Sequence, residues 1–123
     1  MDSLCIFKLS HNKFYVDKID KDILVEMTEL YSINFLYNIW EQLHNPDINF
    51  NKKNYLERKN IKWLNTYFFV GIHKIRDFKE SDDLDIITLK YMKKHGIENV
   101  RGGNFQKEIF NEKELQFIKN IID

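Results

Sequence analysis

Four carboxylates fall within six residues, at Glu80, Asp82, Asp83 and Asp85. Clusters of this kind can hold Mg²⁺ or Mn²⁺, which take oxygen ligands. The same acids suit the start of a helix, whose free amides and dipole favour negative charge. Asp83 and Asp85 therefore stand both as candidate metal ligands and as ordinary helix-opening residues. Arg101 precedes Gly102 and Gly103. An arginine there can present its planar fork to a phosphate while the neighbouring backbone amides complete an anion nest. Alternatively, the glycines let a turn pass tightly against a sheet while Arg101 pairs with a carboxylate. A third candidate is the basic stretch Lys52, Lys53, Arg58, Lys59 and Lys62, interleaved with Tyr55 and Trp63. It could track a phosphate backbone while an aromatic ring stacks on a base, or it could be the solvated face of a helix. His11, His44, His73 and His95 show no HxH or HExxH spacing, and the lone Cys5 gives them no thiolate partner, which argues against a zinc site. Nucleophile triads, phosphate-binding glycine loops and dinucleotide fingerprints are absent from the sequence.

Composition narrows the partners. The chain has 123 residues, 43% of them apolar and 15% aromatic, enough for one domain with its own core. Nineteen basic residues balance nineteen acidic ones, so polyanion binding has to come from a local patch. A single cysteine excludes an internal disulfide and suits a reducing compartment. No apolar run approaches the ~20 residues of a membrane span and no secretion leader opens the chain, so an intracellular, cytoplasmic protein is expected.

These candidates need elements to hold them. Leu4–Leu9 and Phe14–Ile19 are β-rich runs joined by Ser10-His11-Asn12-Lys13, which predicts an N-terminal antiparallel hairpin. Apolar residues at threes and fours from Asp22 to Leu43 predict a long helix, apolar on more than one face and ended by Pro46. Such a helix has apolar side chains to spare, which points to self-association or a partner. Asn45–Asn54 reads as a loop and Tyr55–Leu64 as a short helix, with Tyr55, Ile61 and Leu64 inward. Thr66–Ile75 is aromatic and β-branched, the pattern of a central strand, with Gly71 a bulge or a close approach.

The organising segment is Glu80–Phe105. Asp82 offers an N-cap, acids crowd the first turn, Lys90, Lys93, Lys94 and His95 crowd the last, and Gly96 stands where a C-cap needs positive φ. After the RGG turn, Asn111 and Glu114 form a capping-box pattern opening a final amphipathic helix with Leu115, Ile118 and Ile122 inward. The fold class expected is α+β: a small antiparallel sheet, made of the hairpin and one further strand, covered by helices.

The segment Tyr91 to Phe105, YMKKHGIENVRGGNF, preceded by a hairpin, a helical insertion and an aromatic strand, resembles the GIY-YIG nuclease superfamily. It is most similar to the branch found in large DNA viruses and microbial eukaryotes. The likeness is tightest over Asp83–Phe105, looser over Leu4–Lys18 and weakest over Asp22–Lys62. It implies a single domain over 1–123 with a helical insert at about 22–64. In that family two tripeptides lie on paired strands, and a helix arginine and a metal-binding glutamate complete the site. Cys5-Ile6-Phe7 falls on the first tripeptide and Tyr15-Val16-Asp17 on the second. Phe7 lacks the hydroxyl, no arginine precedes Arg58, and Leu84 stands where the glutamate belongs.

The resemblance so implies a catalytically inactive module acting on nucleic acid or a protein partner, with no resident cofactor, and the chemistry of Arg101, Lys52, Lys53, Arg58, Lys59 and Lys62 makes them its expected phosphate contacts. The alternatives are an endonuclease with Mg²⁺ or Mn²⁺ moved to Asp83 and Asp85, or an assembly protein that self-associates through the 22–43 helix. No membrane role is expected. If the source is viral, host cytoplasm or virion is the implied location.

Overall fold

The computed structural model describes residues 2–23, 56 and 59–123 of the chain. The predicted helix at 22–43 and loop at 45–54 lie outside them, apart from the first residues of that helix. The described elements are β1 (Asp2–Leu9), β2 (Lys13–Asp20), α1 (Lys62–Thr66), β3 (Phe69–Asp77), α2 (Leu84–His95), β4 (Val100–Gly102) and α3 (Glu112–Ile122). The fold is α+β.

The hairpin forms as its alternation requires. β1 and β2 pair antiparallel from Asp2↔Asp20 to Leu9↔Lys13. His11 and Asn12 close the turn at φ +61° and +57°, a region the short polar asparagine tolerates well. Period-two alternation then divides the strands between two cores. Leu4, Ile6, Phe14 and Val16 face α2 and α3 with Ile87, Met92, Val100 and Ile118. Cys5, Phe7, Leu9, Tyr15 and Ile19 face the other way, under Leu56, Trp63 and Leu64. A sheet buried on both faces explains why both strands are apolar almost throughout.

Several expectations change. The sheet has four strands in the order β3-β1-β2-β4, and β4 runs parallel to β2 through Phe14↔Val100, Tyr15↔Arg101 and Val16↔Gly102. The sheet is therefore mixed, and the segment read as a turn supplies its fourth strand. The aromatic run at 66–75 becomes β3, shifted toward the C-terminus, and it is an edge strand. Phe68, Val70, Ile72 and Ile75 are exposed. The centre belongs to β1 and β2, each of which hydrogen-bonds on both sides. Of the short helix expected at 55–64, residues 55, 57 and 58 lie outside the described residues, Leu56 is helical, 59–61 are not, and α1 covers Lys62–Thr66 with Trp63 and Leu64 buried.

The helices obey their local signals. Asp83, rather than Asp82, caps α2, accepting from the amides of Asp85 and Ile86. Gly96 ends it at φ +103°. Asn111 and Glu114 close a capping box on α3. Among the described residues no helix is long and apolar enough to cross a membrane.

Candidate functional site

Arg101 sits at the centre of β4 and is 3% exposed. Its Nε donates to the Lys107 carbonyl at 2.7 Å, Nη1 to the carbonyls of Ile97 and Val100 at 2.6 and 2.8 Å, and Nη2 to that of Glu108 at 3.1 Å. The guanidinium lies 4.2 Å from the Phe110 ring centroid and 5.3 Å from that of Trp63. Burial lowers its pKa to about 10, with partial compensation from Tyr67 and Glu98, so it remains a cation at neutral pH. The fork predicted for a phosphate is thus spent on main-chain carbonyls, tying β4, the 105–110 segment and α1 together.

The glycines beside it serve close packing. A Cβ on Gly102 would collide with the Val16 carbonyl oxygen and come within 2.8 Å of the Thr88 hydroxyl. Gly103, at φ +53°, lies against the Asp85 carboxylate. That carboxylate accepts from the Asn104 backbone amide at 2.8 Å and its side-chain amide at 2.9 Å. Asp83 is occupied by the cap, and Asp82 forms a two-pronged pair with Arg76 at 2.7 and 3.0 Å. This pair, with the Lys79 amide, holds the Asp82 carboxyl down at about 2. Asp82, Asp83 and Asp85 thus each have a structural partner. Among the described residues no group of three or more His, Cys, Asp and Glu side chains could hold a metal ion.

The two tripeptides face each other in register, Cys5↔Asp17, Ile6↔Val16 and Phe7↔Tyr15. The Phe7 and Tyr15 rings stack at 6.5 Å and both are wholly buried. Burial, with the Asp17 carboxylate nearby, pushes the Cys5 thiol up to about 12. Leu84 opens α2 and packs against the core beneath that helix.

The predicted basic stretch is divided. Lys52, Lys53 and Arg58 lie outside the described residues. Lys59 pairs with Asp17 at 3.0 Å and Lys62 with Glu108 at 3.2 Å.

A different set of basic side chains comes together, including two histidines weighed above only as zinc ligands. His73 and His95 stand 6.4 Å apart, with Phe14 between them at 5.1 and 4.4 Å, and Lys8 lies 5.9 Å from the Phe14 ring. Tyr91 stacks on His95 at 5.9 Å. Burial, followed by the charges of Lys94, His73 and Lys8, holds the His95 imidazole below its usual value, and its Nε2 is buried without a hydrogen-bond partner. The one sequence signal was alternation: Lys8 continues the Leu4-Ile6 face. The strand pairing that brings His73 beside it is a long-range property. Compared with protein-family models, curated proteins and solved structures, the chain finds no match.

Proposed function

We propose that this chain is a catalytically inactive GIY-YIG-like module that binds nucleic acid. The observation that carries this reading is the pairing of Cys5-Ile6-Phe7 with Tyr15-Val16-Asp17 on adjacent antiparallel strands, with the Phe7 and Tyr15 rings stacked inside a closed core. The resemblance expects its tripeptides on paired strands, and the register here agrees with that arrangement. Hydrolysis by such a site needs a hydroxyl, a cation and a metal-bound carboxylate at the scissile phosphate. Phe7 and Leu84 supply neither hydroxyl nor ligand, and Tyr15 is sealed from solvent. What remains is a scaffold with room for surface recognition.

The test is retention of labelled single-stranded and duplex oligonucleotides by the full chain, purified free of nucleic acid, with Mg²⁺ and Mn²⁺ present. Retention without cleavage is expected. Absence of binding at low salt overturns the nucleic-acid reading. A protein-partner reading has its own observation: Ile109, Phe117 and Ile121 are exposed at 80%, 61% and 49%. Apolar side chains set out in this way near and along α3 suit a contact with another protein.

A further inference from the structure

The basic side chains gathered around Phe14 extend along one face of the sheet. Directly paired residues of an antiparallel ladder project to the same side. Ile6, on the face covered by α2, is paired with Lys74, and Leu4, on that same face, with Arg76. The register shift between Ile6 and Phe7 leaves His73 as the extra residue, and its ring contacts Phe14 and His95 on that same face. Lys8, His73, Lys74 and Arg76 therefore form a row beside the C-terminal half of α2, which adds Lys94 and His95. Lys8, His73, Lys74 and Lys94 are exposed.

The row is uneven in its charge balance. Arg76 is neutralised by Asp82. Among the described residues, no ion pair engages Lys8, Lys74 or Lys94. In a chain of zero net charge, this concentrates uncompensated positive charge on a single face. The five rises of strand from Lys8's neighbour Gly71 to Arg76 span about 17 Å at ~3.4 Å per residue. That is the length of about five nucleotide rises along one strand of a duplex. Tyr91, half-buried beside His95, puts an aromatic ring against the row, the combination of cationic track and stacking platform that suits nucleic acid better than a protein surface.

We propose that Lys8, His73 and Lys74 on the sheet, with Lys94 at the end of α2, bind the phosphate backbone of a nucleic acid. The proposal rests on the reading of this chain as a nucleic-acid-binding module and locates its surface away from Arg101. Lysines supply permanent charge, and the exposed His73 ring adds a hydrogen-bonding group beside them.

The experiment is fluorescence anisotropy of labelled single-stranded and duplex oligonucleotides, with phosphatidylserine vesicles as a competing polyanion. It compares the native chain, a Lys8→Glu/Lys74→Glu variant, a His73→Gln variant, and a Lys113→Glu/Lys119→Glu control carrying the same charge change on α3. The lysine variant is expected to bind at least about tenfold more weakly, with a salt slope smaller by about two, one for each lost phosphate contact. The histidine variant should bind more weakly than the native chain but more tightly than the lysine variant, and the control should bind like the native chain. Circular dichroism establishes that each variant is folded. Native binding that survives the Lys8/Lys74 change, or falls equally in the control, overturns this surface and leaves the module reading intact. No native binding overturns both, as does binding to vesicles alone.

Discussion

Arg101 and Asp82 show how a residue that looks functional in sequence can be wholly committed to the fold. Arg101 holds four carbonyl contacts and two aromatic faces while 3% exposed. Removing it strands buried carbonyls and opens space beside Trp63. Arg101→Ala is accordingly expected to cost about 3 kcal/mol of stability, since hydrogen bonds from a charged donor are the stronger kind and buried acceptors left unpaired are costly. Arg101→Lys should recover little, because a single ammonium cannot reproduce the planar fork. Urea denaturation of the three proteins checks this, and native-like stability in Arg101→Ala would show that the carbonyls find other partners. Asp82 gives a pH signature. Its folded value of about 2 lies below the ordinary 3.8, so its contribution is fully present above about pH 4 and is lost as pH falls toward 2. His95 acts on a higher window: held below 6.5 when folded, it costs stability as pH drops beneath that value, since the unfolded chain binds the proton more readily. Thermal unfolding followed from pH 7 downward should therefore fall in two stages. Asp82→Asn should remove the lower one and His95→Gln the upper, and a melting profile unchanged in either variant would contradict the assignment.

The elements that sequence revealed are those written in local chemistry. The hairpin follows from alternation and a polar link, α2 from acids at one end and bases at the other, and α3 from Asn111 and Glu114. β4 was illegible because three residues carry no period; only pairing with β2 makes Val100–Gly102 a strand. The edge position of β3 was illegible for a similar reason. Its apolar run signals extended structure, but which neighbour lies beside it depends on contacts with β1 more than fifty residues away. The same long-range registry assembled the Lys8, His73 and His95 cluster, whose members are unremarkable one by one. Gly102 is where local freedom and long-range packing meet. Gly102→Ala should cost about 2 kcal/mol, as expected when a methyl is forced into a filled site, because the Cβ meets the Val16 backbone and the Thr88 hydroxyl rather than a side-chain end that can swing away. Asn111→Ala, which removes only a cap, should cost about 1 kcal/mol. Chemical denaturation ranks the two; equal losses would mean that β4 moves off β2 at little cost.

At the scale of the whole molecule, the prediction is that this chain does not hydrolyse phosphodiesters. Charge developing on the phosphate and on the leaving oxygen has to be met by groups already in place, and losing one such group commonly costs on the order of 10² to 10³ in rate. Phe7 and Leu84 are apolar and packed into cores, and Tyr15 lies beneath Leu56, Trp63 and Leu64 rather than in an open cleft. Restoring Leu84→Glu alone should therefore yield no activity, because the carboxylate would open α2 with no reacting hydroxyl presented to substrate. Asp83 and Asp85 could take over metal binding only by giving up the cap on α2 and the Asn104 contacts. An Asp83→Ala/Asp85→Ala variant should then be less stable than the native chain by about 1 kcal/mol or more, through the lost cap, with no change in a cleavage rate that is already at background. Incubation of single-stranded, duplex and branched DNA with Mg²⁺ or Mn²⁺ decides the matter. Metal-dependent cleavage that disappears in the double variant would mean that the acids at the start of α2 move to meet a metal, and would make the chain an endonuclease with a rearranged site.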